Sequence, residues 1–183
     1  MRIVAGKYRR RLLVWPSDEK NIRPTKDRIR EAIFSSLGDI SGLKVLDLYA
    51  GSGAMGIEAL SRGATHSTFV DYNQIAIETV KKNIASLGIN QNQAKVLPLE
   101  DKRALSLLIE GGEVFDLIFL DPPYHFDNYY ELISLILDNK LLSKNGIIVI
   151  ESQSNLIFDS IIWNKTRHYK YGEINVDIVW RQV

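Results

Sequence analysis

From residue 43 onward, strand-like apolar segments alternate with segments of helical periodicity. The strand-like segments cover residues 44–49, 67–70, 95–99, 115–120 and 147–150, and amphipathic stretches separate them. Apolar strands between amphipathic helices are typical of a parallel sheet covered by helices on both faces. The pattern therefore predicts an α/β fold in which ligands bind beyond the carboxyl ends of the strands.

The two ends of the chain depart from this alternation. At the start, residues 2–5 and 9–15 are predicted to form a short hairpin, and after a polar loop Thr25 is a suitable N-cap for a helix. At the other end, residues 164–171 and 174–180 follow one another with no helix between them. This arrangement predicts an antiparallel hairpin at one edge of the sheet.

Charge is unevenly distributed along a chain whose net charge is only +1. The first 30 residues contain ten Lys or Arg and three acids, whereas the remaining 153 contain 13 basic and 19 acidic residues. A basic arm on a mildly acidic body favours an anionic partner such as a nucleic acid. A solvated basic terminus is the alternative interpretation.

Composition excludes several classes of protein. The chain has no cysteine, which excludes disulfides and thiolate metal sites and is compatible with a reducing cytoplasm. No apolar run approaches the ~20 residues needed to cross a bilayer, and residues 1–15 lack the apolar core of a signal peptide. We expect a cytoplasmic protein without a metal or a membrane partner, and a monomer, since no apolar surface demands a dimer.

A glycine-rich segment, residues 47–53, lies where the first predicted strand turns into a helix. Glycines there let a ligand approach the backbone closely. The spacing of Gly51, Gly53 and Gly56 also fits the G-x-G-x-x-G pattern of dinucleotide sites, although short glycine patterns are common. The turn therefore predicts a cofactor site without identifying the cofactor.

Acidic residues follow the second and third predicted strands. Asp71 could accept hydrogen bonds from the ribose hydroxyls of an adenosine cofactor, or it could cap the next helix. Glu100 and Asp101 could meet an adenine amino group or favour a helix N-terminus. The residues predicted to bind the cofactor are Asp47, Tyr49, Ala50, Gly51, Ser52, Gly53, Asp71, Tyr72, Glu100 and Asp101.

Asp47 distinguishes between two adenosine cofactors. The pyrophosphate of NAD is anionic, so an acid in its cradle is unfavourable. S-adenosylmethionine instead carries a sulfonium and an ammonium, which an acid attracts. Asp47 could also serve only to hydrogen-bond the glycine turn. The sequence therefore favours S-adenosylmethionine, and a nicotinamide-dependent oxidoreductase is the alternative from another enzyme class.

The segment Asp121, Pro122, Pro123 and Tyr124 follows the fourth predicted strand. The Asp121 carboxylate and the Pro122 carbonyl could accept the two N–H groups of an exocyclic amine, whose lone pair then points at a methyl donor. The prolines restrict the loop, and Tyr124 could stack on a base turned out of its helix. The segment predicts a catalytic loop for amine methylation, and a Pro-Pro turn that merely ends a strand is the alternative.

The chain resembles the RsmD family of bacterial 16S ribosomal RNA guanine-N2 methyltransferases nearly from end to end. The resemblance rests on residues 2–7, on positions within 23–34, on 47–64, on 121–124 and on 171–172. It implies a Rossmann-like class I S-adenosylmethionine-dependent methyltransferase fold. That fold is a seven-stranded, mostly parallel sheet with an antiparallel last strand, here with a small N-terminal β-hairpin and helix.

The same resemblance implies methyl transfer to the N2 amine of one guanine in 16S ribosomal RNA, with that RNA or a small-subunit assembly particle as the partner. At the third acidic position the family usually has Asp, where this chain has Glu100 followed by Asp101, so either residue could meet the adenine. An adenine or cytosine amino-methyltransferase acting on another RNA or on DNA, and a non-catalytic RNA-binding assembly factor, are the alternatives.

The resemblance also assigns a role to the basic arm. It divides the chain into an RNA-binding hairpin and helix (1–38) and a methyltransferase domain (39–183). Arg23 and Thr25 are expected nearer the target base than the other RNA ligands, and Arg28 and Arg30 could instead be exposed helix residues. The predicted RNA-binding residues are Lys7, Arg9, Arg10, Arg11, Arg23, Thr25 and Arg28.

Overall fold

The structure, a computed structural model, describes residues 1–16, 27–123 and 125–181. Its helices are α1 (Asp27–Leu37), α2 (Ala54–Ser61), α3 (Gln74–Leu87), α4 (Asp101–Glu110) and α5 (Tyr129–Asp138). Its strands are β1 (Lys44–Asp47), β2 (His66–Val70), β3 (Ala94–Leu97), β4 (Phe115–Leu120), β5 (Leu142–Ser152), β6 (Trp163–Tyr171) and β7 (Ile174–Arg181).

All seven strands form one sheet in the order β3-β2-β1-β4-β5-β7-β6. Neighbouring strands are parallel from β3 to β5, whereas β7 is antiparallel to both β5 and β6. The predicted α/β class, the mostly parallel seven-stranded sheet and its antiparallel last strand are confirmed. The predicted terminal hairpin is also present, with β6 at the sheet edge.

Helices cover both faces of this sheet. On one face, α1, α2 and α3 pack around a core that includes Phe34 and Phe69, and on the other, α4 and α5 pack around Leu105 and Ile133. Successive side chains of a strand point to opposite faces, so the buried strands supply both cores. The helix predicted to follow Thr25 is α1, and its apolar side chains Ile29, Ile33, Phe34 and Leu37 are buried.

The N-terminal arm, residues 1–16, forms the predicted hairpin in a reduced form. One isolated antiparallel bridge joins Arg2 and Leu12, flanked by a hydrogen bond of 2.9 Å from the Ile3 N–H to the Arg11 carbonyl. Its buried side chains, Ile3, Tyr8 and Leu13, belong to the core beneath α1–α3. The arm therefore packs on the sheet domain. The predicted loop and the Thr25 cap lie outside the described residues.

Gly6 lets the arm approach the end of α2. Its φ is +80°, and a Cβ at this position would lie 1.8 Å from the carbonyl oxygen of Ser61. The next residue, Lys7, donates its N–H to that same oxygen at 2.7 Å. A side chain at residue 6 would therefore push the arm off the helix.

The largest error in the predicted elements concerns β5, which covers Leu142–Ser152 instead of residues 147–150. The additional residues 143–145 are polar, so the apolar pattern does not reveal them. They extend the strand because residue 142 pairs with Phe115 of β4 across an irregularity in register. Within the described segments, no helix is both long enough and apolar enough to cross a bilayer.

Candidate active site

A cavity of about 530 Å³ opens at the carboxyl edge of the parallel strands. Residues that follow β1, β2, β3, β4 and β5 line it, as do Met1 and Trp15 from the two ends of the arm. This is the position at which open α/β sheets bind their ligands, and the volume lies in the range of small-molecule sites. The glycine turn and the Asp121 segment, predicted separately, thus border one cavity.

The glycine turn has the local geometry that its spacing predicts. Gly51 and Gly53 have positive φ angles of 55° and 80°, which favour glycine. Gly56 serves packing, because a Cβ there would lie 2.4 Å from the ring of Phe69 on β2. The turn therefore brings its backbone to the cavity wall and lets α2 pack tightly on the sheet.

Asp47 is the last residue of β1, and its side chain forms a hydrogen bond with the start of α2, just after this turn. Its Oδ2 accepts the Gly56 N–H at 3.0 Å, so the structural role considered for it is present. Asp47 also lines the cavity and is only 4% exposed. Burial, together with the negative charges of Asp71 and Glu151, raises the pKa of Asp47 to about 7 despite the hydrogen bond from Gly56. The buried acid is thus suited to a cationic ligand.

Asp71 links the second strand to the glycine turn. Its two carboxylate oxygens accept the N–H groups of Gly51 at 2.8 Å and of Asn73 at 2.9 Å. The N-cap of α3 is Asn73, whose side chain accepts two N–H groups of the first turn. The capping role considered for Asp71 therefore belongs to Asn73, while Asp71 and the exposed Tyr72 line the cavity.

The acids after β3 differ in their surroundings. Both oxygens of Asp101 accept hydrogen bonds, one from the Tyr49 hydroxyl and one from the Lys102 N–H, each at 2.7 Å. Burial and the Asp101 carboxylate raise the pKa of Tyr49, which keeps its hydroxyl protonated as a donor. Glu100, exposed at the N-cap of α4, also lines the cavity.

The Asp121 segment is anchored on both sides. It follows β4 directly, and Pro122 is buried. The Phe126 N–H donates to the Pro123 carbonyl at 3.2 Å, and the Phe126 ring packs edge-on against Tyr129 with a centroid separation of 4.9 Å. Tyr124, the predicted stacking residue, lies outside the described residues. The described part of the segment therefore presents Asp121 from a restrained loop.

Asp121 lies beside other acids. Its surface is open to the cavity, although protein atoms surround the carboxyl group on several sides. That surrounding protein and the negative charges of Glu151 and Asp47 raise the pKa of Asp121 well above its ordinary value. A carboxylate in this position binds a cation or a hydrogen-bond donor strongly and readily takes up a proton.

Sequence reasoning missed Glu151, which also lines the cavity. It lies near the end of β5 and is 8% exposed. A signal was available, because Glu151 directly follows the apolar run 147–150, just as Asp71 and Asp121 follow theirs. The sequence pattern alone does not show which strands are neighbours, so it did not place Glu151 beside Asp121.

The predicted RNA-binding residues of the arm are exposed. They are Lys7, Arg9 and Arg10, and the predicted RNA ligand Arg28 on α1 is exposed as well. Arg11 is also exposed, but its guanidinium donates to the Ser86 carbonyl near the end of α3 at 2.9 Å. Arg23 and Thr25 lie outside the described residues.

The basic tip of the arm, residues 7–11, lies far from the cavity. It contacts the last turns of α2 and α3 through Ser61 and Ser86, whereas both helices begin at the cavity. The 8 residues of α2 and the 14 residues of α3 separate the two places by ~10–20 Å, since an α-helix rises 1.5 Å per residue.

The sequence left open that Arg30 is an exposed residue of its helix, and the structure shows that this interpretation is wrong. The Arg30 side chain has no exposed surface. The guanidinium donates to the carbonyl of Arg2 and to Asp27, and its Nε lies 3.5 Å from an oxygen of the buried Glu58. Glu58 in turn accepts the N–H groups of Val4 and Ala5. Arg30 thus fastens the arm and cannot be an exposed RNA ligand in this packing.

The described residues contain no group of three or more His, Cys, Asp or Glu side chains that could hold a metal ion. The strand order, with a glycine turn after β1 and an acid after β2 at the same edge, defines the chain as a class I methyltransferase fold. A solved structure entitled T. thermophilus 16S rRNA N2 G1207 methyltransferase (RsmC), in complex with AdoMet and guanosine, shares this fold. Its TM-score is 0.68 at 20% identity, over 91% of this chain and 45% of that one.

The family follows from closer relatives. The family model described as conserved hypothetical protein 95 matches residues 1–180. Ribosomal RNA small subunit methyltransferase D of Haemophilus influenzae is 37% identical over 158 residues, 85% of this chain and 80% of that protein. The solved structure of the Escherichia coli protein yhhF has a TM-score of 0.85 at 32% identity. The match covers 100% of this chain and 98% of that chain. The chain belongs to this family, the RsmD family.

Proposed function

We propose that this protein transfers a methyl group from S-adenosylmethionine to the exocyclic N2 amine of a guanine in 16S ribosomal RNA. The observation that carries the proposal is the position of Asp121. It opens onto the same cavity as the glycine turn and Asp71, so a methyl donor held by the turn and an amine held by Asp121 would meet there.

Charge supports the choice of cofactor. Asp47, Asp71, Glu100, Asp121 and Glu151 line the cavity, and among the described lining residues there is no Lys or Arg. A pyrophosphate would be repelled by these acids, whereas a sulfonium and an ammonium would be attracted. S-adenosylmethionine, when bound, supplies an electrophilic methyl group on a good leaving group.

The site residues have distinct proposed roles. The backbone of residues 49–53 would cradle the cofactor, and Asp71 would accept from its ribose hydroxyls. We assign the adenine amino group to Glu100, because it is exposed to the cavity and its side chain makes no capping hydrogen bond to α4, whereas the Asp101 carboxylate accepts from the Tyr49 side chain. Tyr49 and Asp101 would then brace that side of the pocket.

Asp121 and Pro122 would orient the target amine. Their oxygens accept its two N–H groups, which favours a pyramidal nitrogen with its lone pair directed at the methyl group. The methylated nitrogen must then lose one proton, and Asp121, whose pKa is raised, is the base closest to it. Because the loop is restrained by Pro122 and by Phe126, these oxygens are in place before the substrate binds.

The identity of the substrate rests on the relatives. The Haemophilus influenzae protein is named for the small-subunit ribosomal RNA, and the structure that contains AdoMet and guanosine is entitled a 16S rRNA N2 methyltransferase. These names support guanine N2 methylation here, in preference to adenine or cytosine methylation. They also disfavour the non-catalytic assembly factor.

The arm would hold RNA away from the target base. Exposed Arg9 and Arg10 would contact phosphates ~10–20 Å from the cavity, about the lengths of α2 and α3. A substrate must therefore extend well beyond the flipped guanine, which favours a folded RNA or an assembly particle. We propose a monomer that acts in the cytoplasm, where bacterial ribosomal subunits are assembled.

Labelled methyl transfer tests the proposal. Purified protein is incubated with labelled S-adenosylmethionine and unmodified small ribosomal subunits, and the labelled nucleotide is located by mass spectrometry. We expect one N2-methylguanine. Label on adenine or cytosine, or no label at all, would contradict the proposal. Calorimetry with S-adenosylmethionine and with NAD separates the cofactors, and binding of NAD alone would exclude the methyltransferase.

A further inference from the structure

Three carboxylates lie on one face of three adjacent strands. Along β4, Leu117 and Phe119 point to the α1–α3 core and Ile118 and Leu120 to the α4–α5 core, so Asp121 follows on the α1–α3 side. The same alternation places Asp47 after Val45 and Leu46 on that side. It also places Glu151 there, since Val149 belongs to the first core and Ile150 to the second.

Glu151 is the neighbour of Asp121. Leu120 pairs with Ile150 in the parallel register of β4 and β5, so the next residues of the two strands are side by side, and neighbouring strands lie ~4.8 Å apart. The proposed mechanism assigns no step to Glu151. Its carboxyl group is more than nine-tenths buried and lines the cavity.

The strand order places Glu151 on the substrate side. The glycine turn and Asp71 follow β1 and β2, which lie on one side of β4, whereas β5 lies on the other. An amine bound at Asp121 therefore has the cofactor on one side and Glu151 on the opposite side. Glu151 is in position to meet the part of the base next to the target amine.

The backbone around Glu151 is well held. The Tyr129 hydroxyl donates to the Glu151 carbonyl at 3.3 Å. Beyond it, the Ser154 carbonyl accepts hydrogen bonds from the Ser152 hydroxyl at 2.8 Å and from the Asn175 side chain at 3.1 Å. These hydrogen bonds fix the backbone from which the Glu151 side chain extends, as a specificity contact requires.

We propose that Glu151 determines specificity for guanine by accepting the N1–H of the target base while Asp121 accepts from its N2 amine. The proposal rests on the proposed function and identifies which base edge the site reads. Guanine presents a ring N–H directly beside its exocyclic amine. Adenine and cytosine instead present an unprotonated ring nitrogen there, so the N1–H hydrogen bond would be lost and two acceptors would face each other.

The test uses 2-aminopurine, which keeps the 2-amino group but has an unprotonated N1. Small subunits are reconstituted with this base at the nucleotide that the enzyme methylates and compared with guanine at mildly alkaline pH, where carboxylates are ionised. We expect wild-type kcat/KM to be at least ~10-fold lower on 2-aminopurine, since a hydrogen bond to a charged group is lost.

Glu151→Gln keeps the shape of the side chain but adds an N–H donor. We expect its kcat/KM on guanine to be ~10–100-fold lower than that of the wild type. The ratio of kcat/KM on guanine to kcat/KM on 2-aminopurine should also be at least ~10-fold smaller in the variant than in the wild type. Glu131→Gln, at an exposed position of α5, removes the same charge and should change neither value. Affinity of Glu151→Gln for S-adenosylmethionine should stay within a few-fold of the wild type.

The outcomes are separable. If the wild type methylates guanine and 2-aminopurine equally, or if Glu151→Gln keeps the wild-type preference, Glu151 does not read N1. Reduced affinity for S-adenosylmethionine with an unchanged base preference would make Glu151 a cofactor ligand and would likewise overturn the proposal. If the wild type methylates no guanine in the subunit, the proposed function itself fails, and the analogue comparison is not reached.

Discussion

Nε of Arg30 lies 3.5 Å from Oε2 of Glu58, and neither side chain has any surface exposed to solvent. Glu58 also accepts the N–H groups of Val4 and Ala5, at 2.8 and 3.0 Å, and the Nε–H of Arg62 at 2.8 Å. One carboxylate therefore joins α1, α2 and the arm. Removing it would leave Asp27 as the remaining acidic partner of the buried Arg30 guanidinium.

We expect Glu58→Ala to lower the free energy of unfolding by ~3–5 kcal/mol, the usual loss when one partner of a buried ion pair is removed. Urea denaturation measures it. Glu78→Ala is the control, because Glu78 pairs with Lys81 at the surface, where both are about half exposed, and its loss should stay below ~1 kcal/mol. Equal losses in the two variants would show that Glu58 does not anchor the arm.

Asp121→Asn should separate catalysis from cofactor binding. The variant keeps the shape of the side chain but loses the negative charge that orients and deprotonates the amine, so we expect kcat to fall by ~10²–10³-fold. Affinity for S-adenosylmethionine, measured by calorimetry, should change little. The matched control is Asp127→Asn, at an exposed residue of the same cavity. Near-normal turnover of the Asp121 variant would remove it from the mechanism.

Asp47 should make the ligand-free protein less stable as pH rises. Its pKa is about 7 in the folded protein against an ordinary 3.8, so between these values the folded state binds more protons than the unfolded state. Stability is therefore lost as pH increases through this window. Asp47→Asn should be more stable than the wild type by a few kcal/mol above about pH 7 and nearly equal to it in acid.

Chemical denaturation of both proteins across this pH range measures the difference. The same substitution should weaken S-adenosylmethionine binding, because Asp47 ends β1 on the cofactor side of the cavity, where its charge attracts the sulfonium and the ammonium. A variant that is less stable than the wild type at neutral pH would show that the charge-assisted hydrogen bond that Asp47 accepts from the Gly56 N–H outweighs the cost of burying the charge.

The pH dependence of kcat/KM should reflect Asp121. Its carboxylate must be ionised to accept from the amine, and its pKa is raised by burial and by Glu151 and Asp47. Activity should therefore fall with decreasing pH at a higher pH than for an ordinary aspartate. Glu151→Gln removes one of these negative charges and should move the acid limb to lower pH, whereas Glu131→Gln should leave it in place.

The basic tip of the arm should contribute salt-dependent affinity for RNA. Arg9→Glu with Arg10→Glu removes two proposed phosphate contacts, so binding should weaken and the slope of log K against log salt should become shallower by ~1.5. Lys140→Glu with Lys144→Glu makes the same charge change at two exposed residues, one after α5 and one near the start of β5. If both pairs reduce binding and slope equally, net charge and not the arm is responsible.

Local sequence patterns predicted most of the elements. The boundaries of β4, residues 115–120, were predicted to the residue, because an apolar run is a property of a few neighbouring residues. The chemistry of Gly51, Asp71 and Asp121 was also visible, since each stands directly after an apolar strand. Their proposed contacts with cofactor and substrate remain predictions.

The sequence by itself determined the fold class, the glycine turn and the acids at the ends of the strands, because these depend on neighbouring residues. Only the tertiary structure decided which of these residues meet. In the folded chain Glu151 lies beside Asp121, and Arg30 is buried against Glu58. Arg9 and Arg10 lie about a helix length from the cavity. Strand order and burial arise from packing between distant segments, and no local pattern in the chain encodes them.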